Sequence, residues 1–169
     1  ISEGFTSTAQ PAINAGTDVV VGHGPHVTLG TEIYRDRPIF YSLGNFVFQN
    51  DTVQQFPSEA YGRFGLGHDA TPADFLDART QNDTRGFPSE PEFWEGCLAR
   101  VSFEAGRLAR AELHPIDIGF GAGRPERGRP VLARGERAQR IHERMERLSR
   151  LHETETSRAG GALLLVPRA

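Results

Sequence analysis

The sequence predicts an α/β fold, and three stretches predict it. Asp18-Val-Val-Val-Gly-His-Gly-Pro-His26 sets three β-branched apolar residues ahead of a glycine-bearing polar loop, the pattern of a buried strand that delivers functional groups at its carboxyl end. Residues 98–103 and 108–113 alternate apolar and polar on either side of Glu104-Ala-Gly-Arg107, as a hairpin with one wet face does. Residues 134–152 place Ala138, Ile141, Met145, Leu148 and Leu151 at three- and four-residue spacing, which is the stripe of an amphipathic helix.

In chain order, residues 8–15 read as a short helix capped by Ser7 or Thr8, with Pro11 confined to its first turn and Gly16 as the stop. The 18–21 strand follows. In the loop after it, Gly22 and Gly24 let the backbone turn tightly and Pro25 fixes one φ, so His23 and His26 can be held in a defined arrangement. Residues 31–34 and 38–43 then form a hairpin across Arg35-Asp-Arg37, its second strand carrying Ile39 and Tyr41 on one face and Phe40 and Ser42 on the other. Gly44-Asn45 turns the chain back.

Composition changes at residues 49–96, where nine acids face three arginines and Pro57, Pro72, Pro88 and Pro91 break any periodicity. Seven of the chain's fifteen aromatic residues also lie here, among them Phe75, Phe93 and Trp94, which is a poor composition for disorder. An irregular insertion that packs by its aromatics is expected, placed as a lid over the site or as surface cover. His68-Asp69 within it is a further ligand pair or a solvated turn.

Beyond the 98–113 hairpin, His114 reads as structural and the glycines of 119–123 as a connection, since no helix follows whose amino terminus could take a phosphate. On the long helix, Glu136 with Arg140, Glu143 with Arg147 and Glu146 with Arg150 are expected as i,i+4 pairs on a solvated face, with His142 and His152 exposed or terminal. Residues 162–166 form a last strand after Gly160-Gly161.

All 19 basic residues are arginine and 22 acidic residues leave a net charge of −3, so the balance makes no general case for nucleic acid as a partner. No apolar run reaches the length of a membrane span. Cys97 is the only cysteine; it excludes an intrachain disulfide, reads as a small buried hydrophobe, and mildly favours a reducing compartment, leaving cytoplasmic and cell-envelope placements both open.

Function rests on the two histidines. Neutral imidazole is the commonest metal ligand, so His23 and His26 suit half of a metal site, while hydrogen bonding to loop backbone is the plain alternative. The run Gly22-x-Gly24 imitates the start of a dinucleotide fingerprint, but Val27 stands where its third glycine belongs and Pro25 intrudes.

Read together, DVVVGHGPHV and RPIFYSLGNFVF resemble the capsule-synthesis CapA-type family, linked to poly-γ-glutamate and placed within the calcineurin-like metallophosphoesterase superfamily. The resemblance implies the carboxyl-terminal half of a metallophosphoesterase-like α/β sandwich with β-hairpins and a long carboxyl-terminal helix, spanning 1–169 with the insertion at 49–96. It makes His23 and His26 metal ligands of a centre holding two divalent ions, manganese, iron or zinc, and puts Asn45 beside that centre as the catalytic candidate. Gly24 stands where the family more often has histidine, so a role resting on that side chain is missing here.

The family places further metal-binding motifs upstream, and the chain starts at Ile1 without an initiator methionine. It is therefore expected to be the carboxyl-terminal part of a domain whose amino-terminal half completes the site, a signal peptide or membrane anchor upstream being left open. The implied activity is hydrolysis of phosphoester or poly-γ-glutamate-type substrates by metal-activated water. The rival is a capsule-polymer assembly or binding component that keeps the fold and hydrolyses nothing.

Overall fold

The computed structural model describes residues 3–166, with side chains from residue 7 onward. Two sheets share one core. The smaller has the order β1-β3-β2, with β1 (Val20–Val21) parallel and β2 (Thr31–Tyr34) antiparallel to the central β3 (Arg37–Phe40). The larger is antiparallel, β4 (Glu95–Glu104), β5 (Arg107–Asp117), β8 (Ala162–Val166) and β7 (Glu155–Ala159) in that spatial order, with β6 (Val131–Leu132) also paired to β5. The α/β class and both predicted hairpins stand.

Strand alternation explains how the layers meet. On one face of the small sheet Ile39 and the adjoining Tyr41 pack with Ala9 and Ile13 of α1 (Glu3–Asn14), while Phe40 points the other way into the main core. There it meets Cys97, Ala111, Leu113, Leu163 and Leu165 of the large sheet and Ile141 and Met145 of α4 (Gly135–Arg150). The tight turns supply the left-handed residues that two-residue hairpins demand, Arg35 and Asp36 at φ 50 and 57°, Gly160 and Gly161 at φ 58 and 79°.

Several expectations are corrected. The helix α1 begins at Glu3, so Pro11 sits well inside it rather than in its first turn; the lost amide costs one backbone bond, but Ala9 and Ile13 still face the core and Ala15 N still closes on Pro11 O at 3.0 Å. The β1 strand lies at the sheet edge, not in the interior, and Val21 is 48% exposed. A bulge at Ser102/Phe103 breaks the strict alternation expected of 108–113, so Leu108 is buried and Ala109 is exposed. The last hairpin partner, β7, carries no apolar alternation, being Glu-Thr-Ser-Arg-Ala, and escapes any pattern reading.

The insertion is more regular than its sequence promises. It forms α2 (Ser58–Gly62) and α3 (Pro72–Thr80), the latter closed by a capping box in which Thr71 Oγ1 accepts from Asp74 N while Asp74 accepts from Thr71 N. As expected, it packs by aromatics: Phe75 is ringed by Phe56, Tyr61 and Phe64.

On α4 the helical stripe is shifted. Leu151 is 75% exposed, whereas Ser149 and His142 are buried, Ser149 Oγ sitting 2.9 Å from Thr31 Oγ1. His142 is not exposed as expected, and its Nε2 has no hydrogen-bond partner among the described residues. His152 stacks on Tyr41 at 4.4 Å. Of the three expected i,i+4 pairs none forms: Glu146 takes Arg158 from β7 at 2.6 Å, Glu143 accepts from Gln139, and Arg140 and Arg144 both reach Glu95.

A pH dependence follows from the two buried rings. Burial first, and for His142 the nearby Arg158, hold both imidazoles below their ordinary value of 6.5, against the opposing pull of Glu146 and Glu32. The unfolded chain takes up protons near pH 6.5 and the folded one only below it, so stability is full above that pH and declines as pH falls through the folded values. Urea midpoints at pH 8 and pH 5 (the latter above the ordinary carboxylate range) should differ clearly for this chain and less for His142→Leu. An equal difference in both would remove His142 as the cause.

Candidate functional site

The histidine loop begins where β1 ends. Gly22 N donates to Phe40 O at 2.8 Å, holding the chain to β3 for one residue more before it leaves the sheet. His23, Gly24, Pro25 and His26 are all exposed. His26 has φ 63°, a left-handed backbone that a residue with a Cβ adopts at a cost, so the loop is set to present this ring.

The ring is held from one side. Asn45 follows the Gly44 turn, where φ is 75° and Gly44 bridges to Gly96 at the head of the large sheet. Asn45 Nδ2 donates to Phe93 O at 2.9 Å, which leaves its Oδ1 as the acceptor facing His26 Nδ1, also at 2.9 Å. The network therefore assigns the proton to Nδ1 and the free lone pair to Nε2. An imidazole oriented by a second group through one nitrogen and open at the other is how a metal-ligating histidine is usually held.

The other wall is aromatic. Phe87 meets the His26 ring edge to face at 5.3 Å and packs on Phe93 at 4.5 Å, while Trp94 Nε1 donates to Phe87 O at 2.8 Å. Behind it Arg127 lies over the Trp94 ring at 5.2 Å and bridges Asp51 at 2.6 Å and Asp83 at 2.8 Å. Its hydrogen bond to Asp51 pushes the guanidinium further up; burial pushes the Asp83 carboxyl up, but Arg127 and Arg124 hold it below the usual carboxylate range.

Of the predicted residues, His26 and Asn45 are brought together. His23 stands on the same loop with no side-chain partner among the described residues. His68 and Asp69 are exposed in the turn before α3, and among the described residues no group of three or more His, Cys, Asp or Glu converges. Cys97 is buried and its thiol is pushed up to about 12 by that burial, which keeps it a neutral hydrophobe rather than a nucleophile. Phe87 and Phe93 bring the end of the insertion, expected as a lid or as surface cover, against His26 and Asn45; the sequence singles out no individual contact among them, and only Gly96, a glycine opening a strand, carries a signal of close backbone approach.

Residues 1–50, which contain His23, His26 and Asn45, match a family described as bacterial capsule synthesis protein. A stretch of 40 residues is 52% identical to the capsule biosynthesis protein CapA of Bacillus anthracis, covering 24% of this chain and 10% of that one. Over 78 residues it is 40% identical to the PGA biosynthesis protein CapA of Bacillus subtilis (strain 168), covering 38% of this chain and 20% of that one.

Residues 1–50 are of the CapA type. The chain's longer match is to the uncharacterized protein y4sH of Sinorhizobium fredii (strain NBRC 101917 / NGR234), 39% identical over 136 residues, 74% of this chain and 28% of that one. The chain thus spans little more than a quarter of the length of the first curated relatives it matches. Within the CapA-type family segment lie the histidine loop, the small sheet and the SLGNF turn; the longer relatives carry the similarity past it into the remainder of the chain.

Proposed function

We propose that this chain forms one side of a divalent-metal centre in a capsule-synthesis protein that hydrolyses a phosphoester or a poly-γ-glutamate-type amide. The observation that supports it is the His26 Nδ1···Asn45 Oδ1 contact of 2.9 Å, made by an amide whose other end is tied to Phe93 O. His26 and His23 would hold the metal through ring nitrogens, and two imidazoles are too few to close a four-ligand site, so the remaining ligands come from outside the described residues. When bound, such ions supply Lewis acidity and a nucleophilic water at neutral pH. The chain's own part is positional: Asn45 fixes the His26 tautomer, and Phe87 packs edge to face with that ring.

Calorimetry with manganese and with zinc on the 169-residue chain is the direct test. Binding weaker than that of a complete centre is expected, abolished by His26→Ala and His23→Ala and weakened about tenfold by Asn45→Ala, whose loss frees the ring rather than removing a donor. In the longer protein, metal content and release of phosphate or glutamate should fall together. Binding that is unchanged in both histidine variants would sink the metal reading; metal loss with no hydrolysis at the outset would favour the polymer-binding role.

A further inference from the structure

The acidic insertion encloses, against Phe48 and Arg127, a cleft of about 320 Å³ that shares Phe87 and Phe93 with the surroundings of His26 and Asn45. Its apolar walls are Phe48, Leu76, Phe87, Phe93 and Trp94, so two of them, Phe87 and Phe93, are the same residues that touch His26 and hold Asn45. That volume is at the lower end of the range for small-molecule pockets, about 300–1,000 Å³, and the mostly apolar lining with a few polar groups is their usual chemistry.

The polar groups divide into spent and available. Asp51 and Asp83 at the base are taken up by Arg127, which is itself buried, and further by Arg124. Arg79 and Arg85 also line the cleft, both are exposed, and neither is paired with a carboxylate among the described residues. Glu90, exposed as well, is the one unpaired acid on the lining. Two guanidiniums without a carboxylate partner thus face one acid above an apolar interior, while the base, Arg124 and Arg127 against Asp51, Asp77 and Asp83, holds one acid more than it has cations.

We infer that this cleft binds a small monoanion with an apolar body, its carboxylate or phosphate held by Arg79 and Arg85 and its body seated against Phe48, Phe87 and Trp94. Guanidinium suits both anions because its fork pairs with two oxygens at once. Glu90 disfavours a second negative charge on the ligand. The inference goes beyond the metal centre and does not need it, since every group invoked belongs to the insertion, to Phe48 or to Arg127.

Trp94 is the chain's only tryptophan, so its emission reports on this cleft alone. Metal-free protein is titrated with phenylacetate, phenyl phosphate, phenylacetamide and acetate. Saturable changes are expected with the first two, and whichever binds more tightly identifies the anion preferred. Phenylacetamide, which lacks the charge, and acetate, which lacks the body, should each bind at least about tenfold more weakly. Arg79→Gln/Arg85→Gln should weaken phenylacetate by a similar factor with an unchanged urea midpoint, and Glu90→Gln should tighten it. Absence of any saturable change, equal affinity for acid and amide, or an Arg79→Gln/Arg85→Gln protein that binds as the parent does would overturn the inference. Because no metal is present, none of these outcomes bears on His23 and His26.

Discussion

Glu95→Ala is expected to lower stability by about 3–5 kcal/mol, the cost of removing one partner of a buried ion pair. The Glu95 side chain is 2% exposed and takes Arg144 of α4 at 2.5 Å, with Arg140 at 3.6 Å. Arg144 also reaches Thr28 Oγ1 at 3.5 Å, so one guanidinium ties α4 to the head of β4 and to the strand side of the histidine loop. Without Glu95 that guanidinium, 15% exposed, has no carboxylate left and must drag water into the joint. Arg140 is 53% exposed, and Arg140→Ala should cost less than about 1 kcal/mol. Urea unfolding of the two variants decides the matter, and a Glu95→Ala loss no larger than that of Arg140→Ala would show that the pair is not a joint.

No local pattern in the sequence announces this pair. The apolar spacing in α4 announces a helix, and the alternation around Ala105-Gly106 announces the β4–β5 hairpin, because each pattern is local and its period is set by backbone geometry alone. The arginines of α4 are a different case. At i,i+4 from glutamates they look satisfied along the helix, yet the packed structure offers Arg144 a buried carboxylate 49 residues away and Glu146 a partner on β7. A long side chain takes the partner that packing brings close, and one-dimensional spacing holds no record of it. The same holds for His142, whose place inside the fold depends on β7, an element with no pattern of its own.

The site shows the same division. His23, His26 and Asn45 stand out because glycine-flanked histidines after a strand and a Gly-Asn turn are unusual locally, and the family resemblance lies in those words. What turns His26 toward a defined tautomer is Asn45, and what fixes Asn45 is Phe93 O, contributed by the far end of an insertion that the sequence presents only as acidic and aromatic. The legible sign that this insertion is ordered is its seven aromatic residues; the capping box at Thr71 and Asp74 adds a local one that composition does not show.

Gly96→Ala is expected to have the largest effect on the site for the smallest chemical change. Leu43 O accepts from Cys97 N at 2.7 Å and Gly44 bridges to Gly96, so the turn that carries Asn45 lies directly on the backbone at the head of β4. A Cβ on Gly96 would fall on Asn45 O, far inside contact distance, and 3.1 Å from Leu43 O. Both obstacles are backbone, which cannot rotate aside, so either β4 or the Asn45 turn has to move. A loss of about 3 kcal/mol or more is expected, at the upper end of what forcing atoms into filled space costs. Gly106→Ala is the proper comparison: φ there is 77° and a Cβ meets nothing within 4 Å, so only the left-handed strain of about 1–2 kcal/mol applies. If the Gly96→Ala protein still folds, its Asn45 amide no longer lines up with His26 Nδ1, and manganese affinity should fall as it does in Asn45→Ala, whereas Gly106→Ala should bind metal like the parent. A Gly96→Ala protein as stable as Gly106→Ala and unchanged in metal binding would mean that the SLGNF turn is not held by the large sheet, and the orientation of His26 would need another source.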